Sequence, residues 1–147
     1  MTSFTVTCGR ENAGRFVAAA VRTPQVLERV LDQIGTEGKA KAVSIAPEHS
    51  GRYKDEIDFD VDGDQVTVGS KSKRAHLVED GRDPGTAPPK ALIAAIFDLP
   101  LDHAYRVAQR IGASGTQGAK VMETTRLAMQ WRIPKIAAQV VRELEAR

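Results

Sequence analysis

The stretch that decides the fold is Ile57-Asp58-Phe59-Asp60-Val61-Asp62-Gly63-Asp64-Gln65-Val66-Thr67-Val68. Ile57, Phe59 and Val61 alternate with Glu56, Asp58 and Asp60, the two-residue period of a strand buried on one face. Asp62-Gly63 reads as a two-residue type I′ turn, in which both central positions need positive φ. The return strand carries Val66 and Val68. Such a turn sets Phe59 opposite Val66 and Ile57 opposite Val68, so all four share one face. The acids on the other face discourage unwanted sheet stacking.

Upstream, Phe4 and Val6 alternate with polar residues and suggest a short strand or extended arm. Asn12 to Val21 is Ala-rich and reads as a short helix with Asn12 as its cap. Thr23-Pro24 is a stronger helix start, because Pro at the first helical position gives up an N–H that has no partner there. Val26, Leu27, Val30, Leu31 and Ile34 then fall on one helical face. Gly35 and Gly38 each weaken a helix by about 1 kcal/mol, yet the pattern runs on through Ala42 and Val43 toward Ala46, where Pro47 ends it. Ser50-Gly51 reads as a turn.

Downstream, Gly69 to Arg74 is a polar, basic loop and Ala75 to Glu79 a single helical turn. Gly81 to Pro89 holds two Gly and three Pro and reads as a long exposed loop. Lys90 to Phe97 is a short apolar helix. Leu101 to Ile111 is amphipathic, with Leu101, Ala104, Tyr105, Ala108 and Ile111 inward. Gly112 to Gly118 reads as a linker. In the last segment Met122, Met129, Ile133, Ile136, Val140 and Leu144 are spaced seven, four, three, four and four. Pro134 inside it is expected to kink or split the helix. The fold class that emerges is α+β, with a long N-terminal helix, a small antiparallel sheet built on the hairpin, and a C-terminal helix.

A length of 147 residues points to one domain. Hydrophobic residues at 41% are enough for a core, and aromatics at 5% leave that core to Ala, Val, Ile and Leu. Lys and Arg number 21 against 19 Asp and Glu, so bulk charge does not make the chain a polycation for nucleic acid. No apolar run is long enough to span a membrane. Met1 to Arg10 lacks the pattern of a signal peptide, and the lone Cys8 has no partner for an internal disulfide. These features suggest the cytosol.

Chemistry is sparse. His49, His76 and His103 are scattered and give no metal-ligand spacing. Asp58, Asp60, Asp62 and Gly63 match the first half of an EF-hand loop, but the twelfth position is Gly69, where the loop needs a Glu. Gly112, Gly115, Gly118 and Lys120 imitate a phosphate loop without its spacing. Ser114 lacks the last glycine of a nucleophile elbow. His76, Glu79 and Asp80 imitate an acid–base cluster, which on so short a turn more readily serves contact with a neighbouring element. The expectation is therefore no catalytic group, no metal and no cofactor. Lys71, Lys73 and Arg74 form a small basic patch suited to DNA phosphates or to ion pairing with the acidic hairpin. Trp131 lies off the apolar stripe of the last helix and is either core or the anchor of a subunit contact.

Ala46 through Tyr53 reads A-P-E-H-S-G-R-Y, Val66 to Ser70 reads V-T-V-G-S, and Ala75 to Gly81 reads A-H-L-V-E-D-G. This order resembles the gene-product-ten-like tail-completion (neck) family of long-tailed double-stranded DNA bacteriophages, over residues 11–81 and in the general character of 118–145. The family's G-T and P-F elements have only Gly85-Thr86 and Pro88-Pro89 as counterparts, without the Phe. The stretch 81–118 is longer than the pattern and reads as an insertion. The resemblance implies a non-enzymatic subunit of a head-to-tail connector, located in the virion neck and in the host cytoplasm during assembly. Implied partners are itself in a homo-oligomeric ring, neighbouring portal-side and tail proteins, and double-stranded DNA in the channel. A head–tail stopper, a tail terminator or a small nucleic-acid-binding protein are the rival readings. Expected subunit contacts are Ile57, Phe59, Val66, Val68, His76, Val78, Glu79, Thr86, Pro88 and Trp131, and the expected phosphate contacts are Lys71, Lys73 and Arg74.

Overall fold

A computed structural model describes residues 2–7, 23–47, 51–73 and 75–146. In chain order these form β1 (Thr2–Thr7), α1 (Pro24–Ile45), α2 (Gly51–Asp55), β2 (Ile57–Asp62), β3 (Gln65–Ser70), α3 (Ala75–Asp80), β4 (Gly81–Arg82), α4 (Lys90–Phe97), α5 (Leu101–Ser114), β5 (Thr116–Gln117) and α6 (Val121–Glu145). The α+β expectation holds, with α1 and α6 as the long helices. The expected helix at Asn12 to Val21 lies outside the described residues, as do Cys8, His49, Ser50 and Arg74. Gly51 opens the short helix α2 rather than closing a turn.

The hairpin forms, but two residues out of the expected register. Asp62 pairs with Gln65, so Gly63-Asp64 is the loop, and Phe59 faces Val68 while Ile57 faces Ser70. Gly63 has φ 60, as the first position of a type II′ turn requires. This turn needs positive φ at the glycine alone, whereas the I′ alternative also forces an Asp into the left-handed region. A shift of two keeps side-chain parity, so the inward face is unchanged.

Strand β1 pairs antiparallel with β3, making a three-stranded sheet of order β1-β3-β2. Three rows cross it toward the helices: Thr2, Ser70 and Ile57; Phe4, Val68 and Phe59; Val6, Val66 and Val61. The other face is polar, and Thr5 and Thr67 share a hydroxyl hydrogen bond of 3.0 Å. Helix α1 lies on β2 and β3, and α6 packs beside α1 and reaches β1. The core between them contains Phe4, Val30, Leu31, Ile34, Ile57, Val66, Val68, Met129 and Ile136.

The two glycines that weaken α1 as an isolated helix are what seat it. A Cβ on Gly35 would overlap the Phe59 ring, and one on Gly38 would come within 3.1 Å of Val68 Cγ2. Helix α6 runs unbroken through Pro134. The proline withdraws the N–H that would bond Gln130 C=O, and Gln130 is exposed, where losing that bond costs least.

Residues 83–114 form a separate structure. Helices α4 and α5 pack on each other around Ile93, Ala104 and Ala108, a cluster distinct from the main core. This arm corrects two readings of the sequence. Leu101 and Tyr105 are exposed rather than inward. The 112–118 linker is instead the end of α5 followed by β5, which pairs with β4 through Gly81–Gln117 and Arg82–Thr116.

Helix propensity alone makes Gly35→Ala stabilising by about 1 kcal/mol. The contact with Phe59 reverses the sign, and we expect a loss of about 1–3 kcal/mol from overpacking. Denaturant titration checks this, with a smaller loss expected when the substitution is made in a Phe59→Leu background.

Candidate functional site

The expected contact residues divide between interior and surface. Ile57, Val66 and Val68 are at most 1% exposed. They serve this chain's own core and have no surface to offer a neighbour. Phe59 is half-buried against α1, and Val78 packs against the same core. The segment 81–89 is largely the exposed loop expected, with Gly81–Arg82 taken into β4 and Pro88 buried. The Arg82 guanidinium there donates to Thr86 O at 2.6 Å. His76 and Thr86 are exposed. Trp131 is 79% exposed, which settles its alternatives against the chain's own core.

Glu79 contacts neighbouring elements, as its place on a short turn suggests, and the elements belong to its own chain. Its carboxylate is buried, accepts from the Tyr53 hydroxyl at 2.5 Å, and accepts from Met122 N–H at 3.0 and 3.1 Å. Met122 lies in the first turn of α6, where unpaired N–H groups and the helix dipole favour an anion. Lys120, the residue before the helix, supplies no side-chain cap, so Glu79 supplies one from α3. Burial, followed by the hydrogen bond and the charge of Glu79, pushes the Tyr53 hydroxyl well above the usual phenol range. Ala119 N–H donates to Val78 O at 2.7 Å and Lys120 N–H to Glu79 O at 3.2 Å, so 78–82 and 116–122 run together at the root of the arm. Gly115 and Gly118 sit where a Cβ would overlap main-chain atoms of residues 79–84. They are there for close approach, not to cradle phosphate.

The basic patch is partly spent within the chain. Lys71 Nζ lies 3.4 Å from Asp58 Oδ2, and Lys39 Nζ lies 3.1 Å from Asp58 Oδ1. The hydrogen bond from Lys39 holds the Asp58 carboxyl below its ordinary range. Lys73 is exposed, and Arg74 lies outside the described residues. Asp58 stands in a strand and is engaged by lysines, so the EF-hand spacing corresponds to no loop. No group of His, Cys, Asp and Glu suited to a metal ion occurs among the described residues, and no helix there is long and apolar enough to cross a membrane. Arg132 and Glu37 tie α6 to α1 at 2.7 Å, and Arg132 lowers the Glu37 pKa.

Two surface features escaped the sequence reading. On the arm, His103, Arg106 and Arg110 line one groove of about 260 Å³ with Leu99 and Val107. On α6, Leu127 is 49% exposed one turn before Trp131, opposite the buried stripe of Met122, Thr125, Met129 and Ile136. The four-residue spacing of Leu127 and Trp131 was the available signal, masked by the stronger core pattern.

The chain thus combines a small α+β body, a buried helix clip and exposed apolar helix faces. Residues 11–81 match the family model described as "Bacteriophage HK97-gp10, putative tail-component". The match spans α1, α2, the β2–β3 hairpin and α3, and stops at Gly81, where the arm root begins. It bears out the resemblance read from the sequence over that stretch and supports a structural role related to the phage tail. No curated protein and no solved structure matches the chain.

Replacing Glu79 by Gln removes the charge but keeps the shape. The Met122 N–H then loses an ionised acceptor, and we expect destabilisation of about 1–3 kcal/mol. Hydrogen exchange is expected to quicken first at the amides of Met122 and Glu123, and Asp80→Asn, at an exposed carboxylate, to leave both readouts near the parent.

Proposed function

We propose that this chain is a structural subunit of the head-to-tail connector of a long-tailed phage. In this reading it is a neck or tail-completion protein that forms a homo-oligomeric ring around the DNA channel. It works in the virion and performs no catalysis. The observation that carries the reading is the match of residues 11–81 to a phage tail component.

Physical features support it. Among the described residues the outer edges of β1 and β2 are unpaired, and edges of this kind are templates for another strand. Large apolar side chains stand in water on α5 and α6, a pattern that marks contact surfaces. Positive and negative side chains nearly balance, which suits a channel through which DNA slides without being gripped. Lys71 is held by Asp58, which weakens the rival reading of a free-standing nucleic-acid binder.

Inactivating the gene in its phage is expected to leave DNA-filled heads and separate tails in electron micrographs, with joining restored by the protein in trans. Normal tailed, infectious particles without the protein would contradict the proposal. So would a salt-sensitive gel shift of free DNA by the monomer at physiological salt.

A further inference from the structure

The arm and the outer face of α6 carry matching ridges. On α5, Leu101 and Tyr105 are each 54% exposed and stand one turn apart. On α6, Leu127 and Trp131 repeat that Leu–aromatic spacing. Rows of side chains four residues apart are the ridges that interlock when two helices cross in the commonest globular geometry.

The flanking charges fix a direction. The α6 row reads Glu123, Leu127, Trp131, Lys135, acidic at its start and basic at its end. On α5 the order along the chain is the same: Asp102 lies beside Leu101 and Arg106 beside Tyr105. All four charged residues are exposed, and none belongs to an ion pair among the described residues. Laid antiparallel with Leu101 against Trp131 and Tyr105 against Leu127, the two helices set the Asp102 end of α5 toward the Lys135 end of α6 and the Arg106 end toward Glu123. A parallel arrangement sets like charges together.

We infer that the α4–α5 arm of one copy docks antiparallel onto the outer face of α6 of a second copy. The two faces differ, so the contact is heterologous. It leaves a free arm at one end of the pair and a free α6 at the other, and so adds further copies until a ring closes. The arm has its own small core and a narrow root, which lets it present a preformed face. The inference deepens the ring reading and rests on it for the closure of the assembly.

The test is a mixing experiment by analytical ultracentrifugation with the full chain, using Trp131→Asp and Tyr105→Asp. Both positions are exposed, and circular dichroism checks that each variant keeps its fold. The parent is expected to sediment as species larger than a dimer, and each variant alone as monomer. An equimolar mixture is expected to give a species of twice the monomer mass that grows no further, because one intact arm meets one intact α6. Three results would overturn the inference. These are a parent that stays monomeric at every concentration, a Tyr105→Asp variant that still dimerises through α6 alone, and association untouched by either substitution. The last would leave the ring reading standing on other surfaces. Conversely, rescue by mixing together with normal virions in the gene's absence would refute the connector role and leave the docking intact.

Discussion

The buried carboxylate of Glu79 is the constraint on which the arrangement turns. It comes from a six-residue helix too short to be stable alone. It closes the first turn of a 25-residue helix and holds the Tyr53 hydroxyl. Three elements separated in sequence therefore meet on one side chain. A carboxylate with this little water is tolerated only when it is well bonded, and here the hydroxyl and the helix N-terminus supply the bonds. Because α3 and the start of α6 are fastened there, the residues between them leave and re-enter the body at one place.

What lies on either side of that point differs in physical character. The body is a sheet covered on one face by α1 and α6, with the helix brought close by glycines and locked laterally by Arg132 with Glu37 and Lys39 with Asp58. The arm contains a small Ala- and Ile-based cluster and places large apolar side chains in water. The family match ends where the arm begins. The match covers α1, α2, the β2–β3 hairpin and α3 of the body, and leaves β1, α6 and the arm outside it.

Much of the scaffold was legible in the residues, because its signals are local. Thr23-Pro24, the α1 stripe, Pro47 and the alternation across Ile57 to Val68 each act within a few positions. The misreadings have a common cause in non-local effects. The hairpin slipped by two because parity survives such a slip and the choice between Asp62-Gly63 and Gly63-Asp64 depends on where positive φ falls. Pairing of β1 with β3 joins residues some sixty positions apart. That Glu79 contacts a neighbouring element was legible, but which element was not, because the N–H group it serves lies 43 residues away. Leu101 and Tyr105 were counted inward because amphipathic spacing identifies an apolar face without saying whether this chain or another covers it. Trp131, off the stripe, carried the same information more openly.

Glu79 and the β4–β5 pair close the body at the root of the arm, independently of what the arm contains. Arg82 and Thr116 are the last paired residues of that root, so a two-residue Asn-Gly turn can replace residues 83–115. Thermal unfolding of the shortened chain is the direct measurement. A single cooperative transition near the parent Tm, with the amide of Met122 still protected, is the predicted result. A molten or unfolded product, or loss of that protection, would contradict it.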